Sequence, residues 1–216
     1  KLDEKPPTRQ AITTNAISME RLDELVQRVR DAVARGDKIY WICPLVEDND
    51  ELPVTSVEAR HKALSELMGQ NVGLVHGRMK AVEKDAAMAD FKEGRTRVLV
   101  ATTVIEVGVD VPDATIMVIE HAERFGLAQL HQLRGRVGRG EKASTCLLLY
   151  KSPLGEVAEA RIKIMRETED GFRIAEEDLR LRGEGEILGT RQSGTPGFQI
   201  AQIEHHGDLL EIARDD

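Results

Sequence analysis

The chain has 216 residues, 41% of them hydrophobic and 31% charged, which is typical of a globular protein with a core of domain size rather than of a disordered chain. Its net charge of −8 argues against nucleic-acid binding through a general basic surface, so an anionic ligand requires a local basic cluster. No apolar run approaches the roughly 20 residues of a membrane span, and the opening KLDEKPPTRQ lacks the apolar centre of a signal peptide. We therefore expect a cytoplasmic protein with no membrane partner. The Pro-rich start without Met predicts a piece of a longer polypeptide.

Predicted helices and strands alternate along the first 150 residues. A helix is expected between Ser18, its N-cap, and Gly36, its stop, because apolar residues recur on one face in between. The later segments predict helices over 57–68, 81–92 and 127–134 and strands at KIYWICPLV, NVGLVHG, RVLVAT, ATIMVIEH and STCLLLY. This alternation predicts an α/β fold with a parallel sheet, whose carboxyl strand ends form the ligand-binding edge.

The pattern changes after Tyr150, where strand-like runs stop. Ser152 and Pro153 stand in the order of an N-cap and a first helical residue. The run DGFRIAEEDLRLRG predicts a second helix ending at Gly183 and Gly185, and GTRQSGTPG predicts a loop. The last third of the chain is therefore expected to be a helical hairpin with a trailing loop.

The cysteines, histidines and tryptophan do not indicate a metal or stacking site. Cys43 and Cys146 lie in apolar runs and predict buried free thiols. Trp41 lies in a predicted buried strand, so core packing is the favoured role. No metal site is expected, because no histidine stands at the sequence spacing from a cysteine that metal ligands have. The histidines considered are His76, His131, His205 and His206.

A basic cluster surrounds the segment LHQLRGRVGRG. Residues 124–142 contain five basic residues and one acidic residue, a net +4 within an acidic chain. Arginine binds phosphate oxygens in bidentate fashion, and glycine before Arg136 and Arg139 removes side-chain bulk near an anion. Their three-residue spacing predicts that both guanidinium groups lie on one side of a helical turn. The alternative is a solvated charged face, which gives no reason for glycines that each cost about 1 kcal/mol in a helix.

Two motifs carry a resemblance to a known family. QLRGRVGR, residues 132–139, resembles motif VI of superfamily 2 helicases, with the pattern QxxGRxGR, and VLVATTVIEVGVDVP resembles their motif V. LVHGRM corresponds to the helicase segment between motifs IV and V. The resemblance implies that residues 18–150 form a RecA-like helicase C-terminal domain, the second motor domain, with flanking helices. It also implies that residues 1–17 are the interdomain linker and 151–216 a helical hairpin and loop extension.

The helicase resemblance implies roles for individual residues. Arg136 and Arg139 would reach the γ-phosphate of ATP as catalytic arginines, where such a residue contributes about a thousandfold or more to the rate. The implied nucleotide-binding residues also include Gln132, Gly108 and Asp110, and the implied DNA-binding residues are Thr102, Thr103 and His76. Local sequence alone equally favours Asp110 as a turn cap and Thr102 as a helix cap.

The sequence lacks the phosphate loop GxxxxGK[ST], and the Asp-Glu pairs in DEKP and DELV do not follow buried strands. We therefore expect ATP and magnesium to be bound mainly by the absent first motor domain. This chain alone is predicted not to hydrolyse ATP.

The segment GFRIAEEDLRLRGEGEILGTRQSGTPGFQIA, residues 171–201, resembles the translocation motif of the RecG helicase family. By that resemblance Arg161, Arg182 and Gln192 couple motor closure to movement on DNA. The two arginines are expected to face inward, toward buried acceptors. The alternative is a packing brace with ordinary surface arginines. Three acidic residues are expected to be solvated or paired with neighbouring arginines: Glu176, Glu177 and Asp178.

The combined resemblance implies an ATP-dependent DNA helicase of the RecG family that remodels stalled forks and Holliday junctions in recombination and repair. Its implied partners are branched double-stranded DNA and the first motor domain and wedge domain of the same polypeptide. One alternative is a translocase like Mfd, the transcription-repair coupling factor. Another is a non-catalytic phosphate-binding module of the same fold.

Overall fold

The computed structural model describes residues 11–45, 53–102 and 111–190, with the backbone only for residues 53–55 and 184–190. Its strands are β1 (Ile12–Ser18), β2 (Lys38–Ile42), β3 (Val72–Val75), β4 (Val98–Ala101), β5 (Ala114–Ile119) and β6 (Ser144–Tyr150). Its α-helices are α1 (Leu22–Ala34), α2 (Pro53–Met68), α3 (Ala81–Glu93), α4 (Leu127–Arg134), α5 (Glu156–Glu167) and α6 (Gly171–Thr190).

The strands form one parallel sheet in the order β1-β6-β5-β2-β4-β3. The central strand β2 places Trp41 beside Val100 of β4 and Val118 of β5. All five residues of β2 are buried, because helices cover both faces of the sheet at this point. The predicted α/β fold with a parallel sheet and flanking helices is confirmed.

Successive residues of the central strand enter two separate cores. Tyr40 and Ile42 pack into the core that also holds α4, α5 and part of α6. Ile39 and Trp41 pack into the opposite core, against α1 and α2. Removing each of these side chains from water contributes about 1.5–3 kcal/mol. The predicted core position of Trp41 is confirmed, since its side chain is fully buried.

The edge strand β1 was not predicted from the sequence. It pairs with β6 along its whole length, from Ile12 beside Ser144 to Ser18 beside Tyr150. Its alternation buries Ile12, Thr14 and Ala16 while Thr13 is exposed, a period of two that indicates a strand. Part of the segment predicted as linker therefore belongs to the sheet.

The first helix starts later than its predicted cap. Ser18 does act as a cap, since its Oγ accepts a hydrogen bond of 3.2 Å from the Glu20 N–H. The turn that it caps is a 3₁₀ turn, Met19–Arg21, and α1 begins only at Leu22. Gly36, the predicted stop, has a φ of +93°, which glycine adopts without strain.

The hairpin helices differ from their predicted bounds at both ends. Helix α5 begins after Gly155 and not at Ser152–Pro153, because Leu154 turns into the core before the helix can start. Helix α6 continues through Gly183 and Gly185 to Thr190. A glycine inside a helix costs about 1 kcal/mol, which the buried contacts of Leu181 on the same helix can outweigh. None of the helices in the described ranges is long and apolar enough to cross a membrane.

Candidate functional site

Helix α4 connects the hydrophobic core to the basic cluster. Its buried face carries Leu127, Leu130 and Leu133, while Gln132 is exposed on the other side. Gly126 is the N-cap of the helix, and its N–H donates a 3.1 Å hydrogen bond to Gln129 Oε1. The exposed amide of Gln132 therefore sits on a helix that packing holds in place.

Residues 135–139, which follow α4, form the arginine turn. It opens with the Arg136 N–H donating to the Leu133 carbonyl at 3.0 Å, and Val137 is fully buried. Gly138 then adopts a φ of +78°, which breaks the helical path between Arg136 and Arg139. The predicted helical spacing of the two arginines is therefore wrong, because the glycine between them reverses the backbone. Arg136 is half-buried and Arg139 is exposed, its Nε donating to the Gly135 carbonyl at 2.9 Å.

Two close contacts fix the arginine turn against its surroundings. The Gly138 N–H donates a buried 3.0 Å hydrogen bond to Ser144 Oγ at the start of β6. A Cβ on Gly140 would lie only 2.6 Å from the Pro112 carbonyl oxygen, so only glycine fits there. Pro112 is the last residue of the predicted motif V segment, and Gly140 directly follows the motif VI segment, so the two segments end close to each other.

Arg134 belongs to the core and not to the predicted basic surface. Its side chain is only 2% exposed and donates to Thr14 Oγ1 at 3.3 Å, to the Met165 carbonyl and, at 2.9 Å, to the Thr168 carbonyl. The spacing in the sequence could have indicated this burial, because position 134 lies four residues after Leu130 and therefore on the same, buried helix face. The anion-binding cluster is therefore smaller than the sequence indicated.

The predicted coupling arginines lie in different environments. Arg161 on α5 is half-buried, and its Nη1 donates to the Phe125 carbonyl, so it faces inward as expected. Burial lowers the pKa of Arg161, and nearby Asp178 acts in the opposite direction. Arg182 on α6 faces solvent with 68% of its side chain exposed, and pairs with Asp178 at 3.0 Å. Its predicted inward orientation is wrong, because the adjacent Leu181 occupies the buried side of the helix.

The acidic residues of α6 follow the expectation that they are solvated or paired with neighbouring arginines, since Glu176 is exposed and Asp178 pairs with Arg182. Glu177 pairs with Arg180 at 2.8 Å, and Arg180 lowers the pKa of that half-buried carboxylate. Arg173 pairs instead with Glu167, on the preceding helix, at 2.7 Å. Exposed pairs of this kind contribute little stability.

Two predicted DNA-contacting residues lie side by side at the carboxyl ends of β3 and β4. Thr102 is 1% exposed, and its hydroxyl finds no hydrogen-bond partner within the described ranges. His76 is 6% exposed; its Nδ1 accepts from the Arg78 N–H, and its Nε2 lies 3.4 Å from Glu58. Both side chains therefore point inward in this structure. The predicted site residues that lie outside the described residues are Thr103, Gly108, Asp110 and Gln192.

A buried ionic cluster at the same edge of the sheet was missed in the sequence. Glu120 follows β5 and accepts from Trp41 Nε1 at 2.8 Å and from two Arg60 nitrogens at 2.8 and 3.0 Å. Burial by itself raises the pKa of Glu120, but the hydrogen bonds and charge of Arg60 outweigh it and lower the pKa. The Arg60 guanidinium also lies 5.5 Å from the centre of the Trp41 ring. The sequence feature that could have indicated this cluster is a carboxylate, Glu120, directly after an apolar strand.

Both cysteines are buried free thiols, as predicted. Burial raises the pKa of Cys146 to about 12, and burial followed by the charge of Glu120 raises that of Cys43 well above its usual value. Thiolate chemistry is therefore unfavourable at either position. Within the described ranges no group of three or more His, Cys, Asp or Glu residues could hold a metal ion.

Comparison with known families matches this geometry. The family model described as helicase conserved C-terminal domain covers residues 18–141, more than half of the chain. The chain belongs to this helicase family. A second model, described as the C-terminal part of domain 3 of the ATP-dependent DNA helicase RecG, covers residues 168–216. The helicase domain and the RecG segment together include α4, the arginine turn and the whole of α6.

RecG helicases are among the proteins similar to this chain. The ATP-dependent DNA helicase RecG of Escherichia coli O157:H7 is 53% identical over 204 residues, 94% of this chain and 29% of that relative. The Bacillus subtilis RecG is 46% identical over the whole chain and 32% of its own length. A solved structure of RecG bound to a three-way DNA junction is 44% identical with a TM-score of 0.71, covering 97% of this chain and 27% of that one. The predicted resemblance to RecG is confirmed, and the chain spans about three tenths of its curated relatives.

Proposed function

We propose that this chain is the second motor domain and translocation hairpin of an ATP-dependent helicase that remodels branched double-stranded DNA. The carrying observation is that the hairpin packs directly on the element that bears the arginine turn. Arg161 of α5 donates to the Phe125 carbonyl, two residues before α4, and α4 leads into Arg136 and Arg139. Similarity to RecG proteins over nearly the whole chain supports the same substrate and favours it over an Mfd-like translocase.

The arginine turn would act on ATP in this proposal. Arg136 and Arg139 are cations that match the charge developing on phosphoryl oxygens, and Gln132 supplies an exposed amide on the same helix end. These side chains fit a polyphosphate bound across an interdomain cleft. ATP and magnesium would be bound mainly by the first motor domain, and this chain would contribute the arginines that complete the site. Hydrolysis of ATP would supply the energy for unwinding, and magnesium would neutralise the negative charge of the ATP phosphates.

The hairpin would convert closure of the motor into movement on DNA. Arg161 would hold α5 on the motor core, while Arg182 is exposed and can exchange partners without breaking the core. Gln192 would act at the tip of the following loop, as the family resemblance implies. Thr102, Thr103 and His76 are proposed to lie near the DNA backbone, and Gly108 and Asp110 near the nucleotide. The proposed substrate also favours the cytoplasm, where bacterial chromosomal DNA lies.

The test uses the full-length parent protein and measures DNA-stimulated ATP hydrolysis and fork unwinding. Arg139→Ala is expected to lower hydrolysis by about a thousandfold, because it removes a charge from the transition state. Gln192→Ala is expected to keep hydrolysis and lose unwinding. The matched control is Arg28→Ala on α1, an arginine with 62% of its side chain exposed. Normal hydrolysis by Arg139→Ala would show that the arginine turn has another role.

A further inference from the structure

Arg134 joins three separate parts of the chain. A buried guanidinium is costly unless it is hydrogen-bonded, and the acceptors of Arg134 come from β1, from the end of α5 and from the residue after it. These acceptors are Thr14, Met165 and Thr168. The side chain that carries the bonds belongs to the last residue of α4.

Neighbouring contacts link the same parts. The Ile12 N–H of β1 donates to Glu169 Oε2 at 3.3 Å, in the connection between α5 and α6. Arg166 Nε, on α5, lies 3.4 Å from the Thr14 carbonyl. Strand β1 and the base of the hairpin are therefore attached to each other as well as to Arg134.

The position of Arg134 connects this junction to the arginine turn. Arg136 is two residues further along, and the Val137 N–H donates to the Arg134 carbonyl at 3.2 Å. A shift of the arginine turn relative to the sheet would therefore displace Arg134 and strain its hydrogen bonds to the hairpin base. The junction also includes β1, which overlaps the end of the segment predicted to join the two motor domains.

We infer that Arg134 is a positioning residue that makes the arginine turn, β1 and the base of the hairpin move as one unit. It acts through its hydrogen bonds and does not contact the nucleotide. The inference rests on the proposed function for its consequence, which is efficient use of ATP during unwinding. The physical connection itself is independent of that function.

The experiment compares four variants in the full-length parent protein. Arg134→Lys keeps the charge, but a single ammonium cannot reproduce a guanidinium that spans three acceptors. Arg28→Lys is the matched control, because it makes the same change on an exposed part of α1. Thr14→Val removes one acceptor while keeping the side-chain shape, and Thr14→Ser retains the hydroxyl.

The first measurement is base pairs unwound per ATP hydrolysed. Arg134→Lys is expected to lower this ratio about tenfold, and Thr14→Val about threefold, within the range of coupling changes caused by mutations between sites. Arg28→Lys and Thr14→Ser should match the wild type. A general loss of stability would lower hydrolysis and unwinding together and leave the ratio unchanged, which would overturn the inference. If Arg134→Lys does not fold, a wild-type ratio in Thr14→Val would overturn it.

The second measurement is the distance between spin labels on Val82→Cys of α3 and Leu179→Cys of α6, in protein without other reactive thiols. Both positions are more than 70% exposed, and the native Cys43 and Cys146 are buried. The distance distribution should broaden in Arg134→Lys but not in Arg28→Lys. An unchanged distribution would overturn the connection. If the wild-type parent neither hydrolysed ATP nor unwound DNA, the proposed function would fail while the label distances still tested Arg134.

Discussion

Two single residues, Glu120 after β5 and Arg134 at the end of α4, show how burial changes the role of a charged side chain. Arg134 and Glu120 are both charged and both less than 10% exposed, yet each finds several hydrogen-bond partners in the core. Arg139, five residues after Arg134, lies in solvent. Both residues are arginines, so their different exposure comes from the direction in which the backbone places each side chain. Only the exposed side chain is accessible to an anion from solvent.

Replacing Glu120 with Gln is expected to destabilise the chain by about 3–5 kcal/mol, because it leaves the Arg60 guanidinium partly buried without its counter-charge. The measurement is urea-induced unfolding of the 216-residue chain at pH 7. Asp90→Asn is the control, since Asp90 forms an exposed pair with Arg95. Equal stability of Glu120→Gln and wild type would contradict an energetic role for the cluster.

The same pair predicts a pH dependence with a definite sign. The pKa of Glu120 is lowered from its ordinary value of 4.5, so its stabilising effect is complete above pH 4.5 and is lost as the pH falls through the lower folded-state pKa. The stability difference between wild type and Glu120→Gln should therefore shrink below about pH 4.5. A difference that stayed constant down to pH 3 would show that ionisation of Glu120 is not its origin.

At the scale of elements, the turn that follows α4 depends on glycines with different physical reasons. Gly138 is needed for its left-handed backbone, and Gly140 for its contact with the Pro112 carbonyl. The two glycines fix how the arginine turn leaves α4 and enters β6. Gly183, inside α6, has neither constraint, because a Cβ there meets no other atom within 4 Å.

This contrast gives a matched pair of substitutions in the 216-residue chain. Gly140→Ala is expected to destabilise it by about 1–3 kcal/mol, because the new Cβ forces the backbone at Pro112 to shift. Gly183→Ala is expected to stabilise it by about 0.5–1 kcal/mol, since alanine loses less backbone entropy in a helix. Urea unfolding measures both. Equal effects of the two substitutions would show that the close approach at Gly140 relaxes without cost.

At the scale of the whole molecule, different helices pack against the two faces of the sheet. One core binds α1 and α2, and the other binds α4 together with the hairpin helices α5 and α6. The hairpin is therefore a continuation of the motor core and not a separate domain. In the proposed function, in contrast, the ATP site would be shared with the first motor domain.

The chain alone is accordingly expected to release no phosphate from ATP, with or without branched DNA, whereas the full-length parent should do so. The physical reason is that the sequence has no phosphate loop to hold the nucleotide. A phosphate-release assay on both proteins measures this directly. DNA-dependent hydrolysis by the chain alone that disappeared in Arg139→Ala would contradict a shared site.

The sequence by itself determined the helix and strand alternation, the parallel sheet, the core position of Trp41 and the family, since these depend on local periodicity and on contiguous motifs. It did not determine β1, whose short alternating pattern becomes a strand only because β6 lies beside it. It also misplaced Arg134 and Arg182, because the direction of a long charged side chain depends on which face of its helix the rest of the molecule covers. Only the tertiary structure decided that Arg134 bonds to β1 and to the end of α5 while Arg139 remains exposed, since burial is a property of the packed molecule.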